Sequence, residues 1–144
     1  MADYPARWSD LAYWEARCRT WQERLRLQAW DVKVKIASRE VLPDKDGEVQ
    51  YIRHTQTAVI RLLDPSQYDP ACDFPLDLER TLVHELLHLL FSPLDTEDAA
   101  ERLTTEEQAV HALSRALVEL ERTTPAYTTV TLPENVSWDW VRTG

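Results

Sequence analysis

Apolar residues recur at intervals of three and four positions between residues 6 and 29, with arginine and glutamate between them. The apolar positions are Trp8, Leu11, Ala12, Trp14, Cys18, Trp21, Leu25 and Leu27. This spacing predicts one long helix over residues 6–29 with a single apolar stripe. We interpret its tryptophans as core residues, because a large aromatic side chain on such a stripe buries its surface against the rest of the protein.

A different period follows, in which β-branched and other apolar residues alternate with polar ones. Such runs cover residues 30–37, 48–54 and 57–63, and alternation with a period of two predicts half-buried strands. The links between the runs are short. We place a turn at residues 43–47, where Gly47 can adopt a positive φ. The pattern therefore favours a small three-stranded antiparallel meander, with a mixed sheet as the alternative.

Two further helices are predicted in the second half of the chain, over residues 75–91 and 105–122. Asp73 is the expected N-cap of the first of these helices, because an aspartate side chain accepts hydrogen bonds from the free amides at a helix start. Residues 123–144 form a tail that either adds a strand or packs on the core. The helices and strands together predict an α+β fold.

The chain has 144 residues, which suits one compact domain. We therefore expect a single domain over residues 1–144. Its predicted parts are the N-terminal helix in residues 1–29, the sheet in residues 30–65, the helix pair in residues 75–122 and the tail in residues 123–144.

Composition narrows the classes of function. The chain has 25 acidic and 16 basic residues and a net charge of −9. Such a surface repels phosphate backbones, so we expect no nucleic-acid partner. No segment reaches the roughly 18 apolar residues of a membrane span, so we expect no membrane association. Cys18 and Cys72 make no disulfide framework, and residues 1–10 lack the features of a signal peptide; both observations predict a cytoplasmic protein.

The first helix of the pair contains the sequence His84-Glu85-Leu-Leu-His88 within an apolar run. Histidines four positions apart project from one helix face and can hold one metal ion, and neutral imidazole suits Zn²⁺. Glu85 follows the first histidine, where it lies beside a bound water and can accept its proton. The motif therefore predicts a zinc site with His84 and His88 as ligands and Glu85 as the catalytic base.

The third metal ligand is expected on the last helix, where two glutamates stand side by side. Glu106 shares a helix face with the apolar residues Ala109, Val110, Leu113, Leu117 and Leu120. Glu107 lies nearer the edge, and it follows Thr104 at the spacing of a capping box, which offers it a structural role. We therefore predict Glu106 as the third ligand and keep Glu107 as the alternative. His111 is a more distant candidate, either as a ligand or near a developing oxyanion.

The order of these features resembles the small gluzincin-type zinc metallopeptidases, and in particular the IrrE/ImmA-like group with its compact phage and bacterial relatives. The motif His84-Glu85-Leu-Leu-His88, the preceding sheet and the sequence Glu106-Glu107-Gln-Ala-Val support the resemblance. It implies a minimal zincin fold in which the helix after the motif helix supplies the third ligand. It also implies an edge strand over the metal cleft that pairs with an extended substrate. Residues 57–63 are the predicted edge strand.

We therefore expect a zinc-dependent metallopeptidase that hydrolyses peptide bonds in a protein or peptide substrate. One alternative is a catalytically inactive zincin-fold binding protein with a structural metal, such as a phage protein that acts on a host factor. Another is a structural domain without a metal. The acidic residues between positions 95 and 107 favour basic peptides if they flank the cleft. The oligomeric state is left open.

Overall fold

The computed structural model describes residues 4–94 and 99–124, with the side chains of residues 99–105 left aside. Its elements are α1 (Leu11–Arg24), β1 (Asp31–Ala37), β2 (Gly47–Ile52), β3 (Thr57–Leu63), α2 (Leu78–Phe91) and α3 (Ala99–Thr123). Short 3-10 turns lie at Ala6–Ser9, Pro65–Gln67 and Ser92–Leu94. The predicted α+β class is confirmed. The predicted tail from residue 125 onward lies outside the described residues. Within the described part, none of the helices combines the length and apolar character needed to cross a membrane.

The sheet is mixed, and its strands lie in the order β1–β3–β2. β3 pairs in parallel with β1 and antiparallel with β2. The antiparallel meander predicted from the short links was therefore wrong, and the mixed alternative is correct. β2 and β3 form a hairpin, and Gln56 in its turn has a positive φ of 53°. Residues 38–46 lead from β1 past the carboxyl end of β3 to the start of β2.

The segment between β1 and β2 determines which strand lies at the edge. Leu42 in this segment is fully buried and packs against the ends of β1 and β3. The guanidinium of Arg39 donates to the backbone carbonyls of Leu42 and Lys45, at 3.1 and 2.9 Å. These contacts hold the segment across the end of β3, so β2 forms the edge on the far side and packs beside α2. The prediction that residues 57–63 form the edge strand was wrong, because β3 is paired on both sides.

The core lies between the sheet and helices α1 and α2. The inward positions of β3, Ala58, Ile60 and Leu62, are at most 5 % exposed, as the period of two predicts. Trp14 and Trp21 of α1 are 0 and 2 % exposed, which confirms their interpretation as core residues.

The first helix is shorter than its apolar stripe. Asp10 caps α1 by accepting a hydrogen bond from the backbone amide of Ala12 at 3.0 Å, and the residues before it form a 3-10 turn. The helix ends at Arg24, and Arg26 has a positive φ of 60°. The predicted helix over residues 6–29 was therefore too long at both ends. The spacing of apolar residues continues beyond both ends of the helix because Trp8 and Leu27 also pack on the core.

A buried carboxylate holds α1 against α2. Glu79 is 8 % exposed and accepts hydrogen bonds from Nε of Arg17 and from Nε1 of Trp21, at 3.0 and 2.9 Å. The same guanidinium lies 3.4 Å from Glu121 of α3. One ion-pair group therefore joins all three helices.

The start of α2 differs from the prediction by a few residues. Asp77 is the N-cap, and its side chain accepts a hydrogen bond from the amide of Arg80 at 3.2 Å. The prediction of Asp73 as the cap was wrong, because Pro75 and the residues around it precede the helix rather than form its first turn.

α3 begins at Ala99, earlier than the predicted start at residue 105. Glu107 therefore lies inside the helix, and its predicted role in a capping box was wrong. α3 runs antiparallel to α2: Asp77 at the start of α2 is ion-paired with Arg122 at 2.8 Å, whereas His88 near its end lies 3.0 Å from Glu106. This packing brings the two glutamates of α3 next to the histidine motif.

Candidate metal centre

The two motif histidines lie on the face of α2 that meets α3. The rest of this helix is largely buried, through Leu78, Leu82, Val83, Leu86, Leu87 and Leu89. The side chains of His84 and His88 are 20 and 15 % exposed, and their Nε2 atoms are 3.2 Å apart. The spacing of four residues thus brings two imidazole nitrogens to one point, as the sequence predicts.

Glu107 brings a carboxylate to the same point. Its Oε1 atom lies 2.7 Å from Nε2 of His88, and its Oε2 atom lies 3.3 Å from Nε2 of His84. One ligand atom from each of the three residues falls within 4.8 Å of the others, a grouping that could hold a metal ion. Glu107 is 53 % exposed, so the group opens to solvent on the α3 side.

Glu106 reaches the other nitrogen of the same histidine. Its Oε1 atom lies 3.0 Å from Nδ1 of His88, and its side chain is 13 % exposed. A carboxylate at Nδ1 accepts a hydrogen bond from Nδ1–H, and this tautomer of the neutral ring leaves Nε2 with a free lone pair. The geometry therefore favours an exchange of the roles that the sequence analysis assigned to Glu106 and Glu107. The helical phase placed Glu106 on the buried face, and it is the less exposed of the two.

The chemistry of the three converging atoms fits a cation. Two imidazole lone pairs and a carboxylate oxygen face one another, and such acceptors repel unless a proton or a metal ion lies between them. Burial is the main reason that the pKa of His84 is lowered, although the charge of Glu107 acts in the opposite direction. A lowered pKa favours neutral imidazole, which is the form that binds a metal.

Glu85 lies beside this group and lines the adjoining cleft. It is 7 % exposed, and burial raises the pKa of its carboxyl group to about 7. The neighbouring charges of Glu107 and Glu48 raise this pKa further, while His88 and Lys45 lower it. The structure thus places the predicted base next to the two histidines but outside the group of converging ligand atoms.

Gly47 allows the edge strand to approach the motif helix. A Cβ atom at this position would clash with Cγ2 of Thr81, and it would lie 3.2 Å from the carbonyl oxygen of Arg61 and 3.7 Å from Cγ of Glu85. Gly47 is the first residue of β2 and its φ is not positive, so its predicted role in a turn was wrong. The requirement is for space, which no local pattern in the sequence reveals.

A cleft of about 500 Å³ begins at His84 and is lined by α2, by α3 and by residues of the segments 45–47 and 68–75. His84 and Glu85 line one part of it, and His111 lies above them with its ring centroid 6.4 Å from that of His84. His111 is not among the converging ligand atoms. Arg80 and Arg115 line the cleft further along. Neither arginine was predicted as a site residue from the sequence, although each lies four positions from a histidine of the cleft.

Comparison of the chain with protein-family models, with curated proteins and with solved structures gave no match. Any assignment of function therefore depends on the geometry of these residues.

Proposed function

We propose that this chain is a zinc-dependent metallopeptidase of minimal zincin type that works in the cytoplasm. In this proposal His84, His88 and Glu107 bind Zn²⁺, and Glu85 acts as the general base. The observation that supports it most is the convergence of two Nε2 atoms and one carboxylate beside a buried glutamate.

The set of donor atoms suits a catalytic zinc site. Two histidines and one glutamate leave a fourth position for water, as in many zinc hydrolases. Ligand atoms about 2.0–2.1 Å from a tetrahedral ion are roughly 3.3 Å apart. The separations of His84 Nε2 from His88 Nε2 and from Glu107 Oε2, 3.2 and 3.3 Å, agree with this value. Zn²⁺ bound there would supply Lewis-acid chemistry, by acidifying a water molecule and polarising a peptide carbonyl.

Glu85 would move the protons. As the residue directly after His84, it would lie near a metal-bound water rather than serve as a ligand. Its carboxylate would accept a proton from the attacking water and deliver that proton to the leaving amine. Its burial excludes bulk water, which would otherwise compete for the carboxylate.

Glu106 would hold the ring of His88 in place. Nδ1–H of His88 donates to this carboxylate, which orients the imidazole and keeps Nε2 available for the metal. Glu106 is thus a positioning residue.

β2 is the candidate for substrate pairing in place of β3. It is an edge strand of the sheet and lies beside α2, where Gly47 approaches Glu85. An extended peptide added to this edge would pass along the cleft, and backbone hydrogen bonds would hold it across the site.

The proposal is tested by comparing the wild type with Glu85→Gln. We expect about one zinc ion per chain in both proteins, because Glu85 is not a ligand. We expect cleavage of a peptide library by the wild type, and a loss of at least about 100-fold in Glu85→Gln, because general-base catalysis contributes that much. The substitution keeps the shape of the side chain, so circular dichroism should not change.

Two results would contradict the proposal. Full activity in Glu85→Gln would exclude the proposed base. Zinc binding without any cleavage by the wild type would favour the alternative of a zincin-fold binding protein with a structural metal.

A further inference from the structure

The antiparallel packing of α2 and α3 sets facing residues opposite one another at successive turns. His88 faces Glu107, with Nε2 and Oε1 2.7 Å apart. One turn toward the start of α2, His84 faces His111 across 6.4 Å between ring centroids. Each step moves four residues back along α2 and four residues forward along α3.

The next step in this series pairs Arg80 with Arg115. Both residues line the same cleft as His84 and His111. Asp77 and Arg122, three residues before Arg80 and seven residues after Arg115, lie beyond this pair and are joined by two hydrogen bonds of 2.8 and 3.0 Å. The arginine pair, Arg80 and Arg115, is therefore about one helical turn, roughly 5.4 Å, from the histidines.

The guanidinium groups of the arginine pair are only partly neutralised by acidic side chains. Nε of Arg80 is buried without a hydrogen-bond partner, and Oδ2 of Asp77 lies 4.0 Å away from it. Arg115 makes no ion pair or side-chain hydrogen bond with the part of the chain that the structure describes. In a protein of net charge −9, one arginine with a single long ion pair and a second without an ion pair among the described residues concentrate positive charge in this cleft.

The aspartates of the cleft are already engaged with other cations. Asp77 is bound by Arg122, and Oδ1 of Asp46 lies 3.3 Å from the guanidinium of Arg39. Asp77 therefore neutralises Arg80 only in part, across 4.0 Å. A ligand that fits this part of the cleft would supply the missing negative charge.

We propose that the arginine pair binds a carboxylate of the substrate while the peptide bond to be cut lies at the metal site. The proposal rests on the proposed function and specifies its substrate class. The carboxylate belongs either to the free C-terminus of the peptide or to an aspartate or glutamate side chain close to the cleaved bond. Planar guanidinium groups suit both, because each nitrogen donor can meet a carboxylate oxygen.

This substrate class is opposite to the one that the acidic residues between positions 95 and 107 suggest. Of those residues, the structure describes the side chains of Glu106 and Glu107, and both contact the histidines. Beyond the histidines, the cleft presents the arginine pair to the ligand.

The test measures binding of matched peptides by calorimetry to Glu85→Gln protein, both as purified and after zinc loading. The probes are acetylated five-residue alanine peptides. One pair ends in either a free carboxylate or a carboxamide. In the other pairs, which end in a carboxamide, one position is Glu or Gln, and this position is moved along the peptide.

Binding is then measured again with proteins that carry Arg115→Ala or Arg80→Gln in addition to Glu85→Gln, and with Arg19→Ala as the matched control. Arg19 is an exposed arginine of α1, outside this cleft.

We expect an acidic peptide to bind about tenfold more tightly than its amide, since a charge-assisted hydrogen bond contributes that much. The preference should fall to about twofold or less with Arg115→Ala or Arg80→Gln and persist with Arg19→Ala. Preference for the free C-terminus identifies a terminal carboxylate, and preference for a Glu peptide identifies a side chain. Equal binding of acid and amide, no binding of any peptide, or a preference unchanged by both arginine variants would overturn the proposal.

The same peptides are incubated with the wild type to separate the two proposals. An arginine-dependent preference in binding without any cleavage would contradict the peptidase function but support the carboxylate site. Equal cleavage of the acidic peptides and their amides would support the peptidase function but contradict the carboxylate site.

Discussion

Nδ1 of His88 lies 3.0 Å from Oε1 of Glu106, whereas Nε2 of the same ring faces Glu107. The two nitrogens of one imidazole are thus divided between adjacent glutamates of α3. A ring that donates through Nδ1 presents an unprotonated Nε2 to a metal. In the proposed metal centre, this division favours Glu107 as the metal ligand and Glu106 as the hydrogen-bond partner of His88.

Glu106→Gln is expected to weaken zinc binding without abolishing the site. Loss of a carboxylate partner of a metal-binding histidine typically lowers metal affinity by about 10–100-fold. We expect that loss, with the stoichiometry unchanged, in competition titrations against a chromophoric chelator. Glu119→Gln, an exposed position further along α3, is the control and should bind zinc as the wild type does. An unchanged affinity in Glu106→Gln would remove the positioning role.

Gly47→Ala is expected to destabilise the fold. The added methyl group would meet Thr81 Cγ2 and the carbonyl of Arg61, so β2 must shift away from α2. Overpacking of this kind costs about 1–3 kcal/mol of the free energy of unfolding. Urea denaturation of the variant and the wild type measures the difference.

A second substitution identifies the cause of that loss. Thr81→Ser removes the clashing methyl group and keeps the hydroxyl that donates to the carbonyl of Asp77 at 3.1 Å. The double variant should therefore regain much of the stability lost in Gly47→Ala. If Thr81→Ser restores nothing, or if Gly47→Ala unfolds like the wild type, the close approach of β2 and α2 is disproved.

The interaction of Asp77 with Arg122 should make stability depend on pH. Burial acts to raise the pKa of Asp77, but the hydrogen bonds and charges of Arg122 and Arg80 outweigh it and lower this pKa. A carboxyl group with a lowered pKa stabilises the fold above its unfolded pKa of about 3.9, and this contribution is lost as the pH falls through the folded value.

Asp77→Asn measures this contribution, because asparagine can still cap α2 but cannot ionise. The difference in unfolding free energy between wild type and Asp77→Asn should be largest near neutral pH and shrink below about pH 4. Arg122→Gln should remove part of the same dependence, since it removes one of the two cations. A difference that is constant from neutral to acidic pH would show that the ion pair adds no stability.

Local patterns in the sequence predicted some features well. The alternation over Thr57–Leu63 marked β3 at its observed limits, and the spacing of His84 and His88 placed both on one helix face. These features depend on residues close in sequence, whose geometry the backbone period determines.

The predictions that proved wrong concern features that depend on contacts between residues distant in the sequence. The order of the strands depends on how residues 38–46 pack across β3, and the space at Gly47 depends on Thr81, which lies on another element. Neither contact leaves a repeating pattern in the sequence.

Helical phase alone does not decide between the two glutamates of α3 as candidate metal ligands, for a related reason. The phase identifies the buried face of α3, and Glu106 lies on it. The candidate metal group lies at the edge of the α2–α3 interface, where the more exposed Glu107 reaches both histidines. The start of α3 at Ala99 was also hidden by acidic residues that resemble a loop.

The most direct test of the metal centre is zinc content, measured by mass spectrometry on untagged protein that is purified without any chelator. The samples are the wild type, Glu107→Ala, Glu106→Ala and the control Glu119→Ala. We expect about one zinc ion per chain in the wild type and the control, a weakened but present site in Glu106→Ala, and loss of zinc in Glu107→Ala. No zinc in a folded wild type, or full zinc content in Glu107→Ala with loss in Glu106→Ala, would contradict the proposed centre.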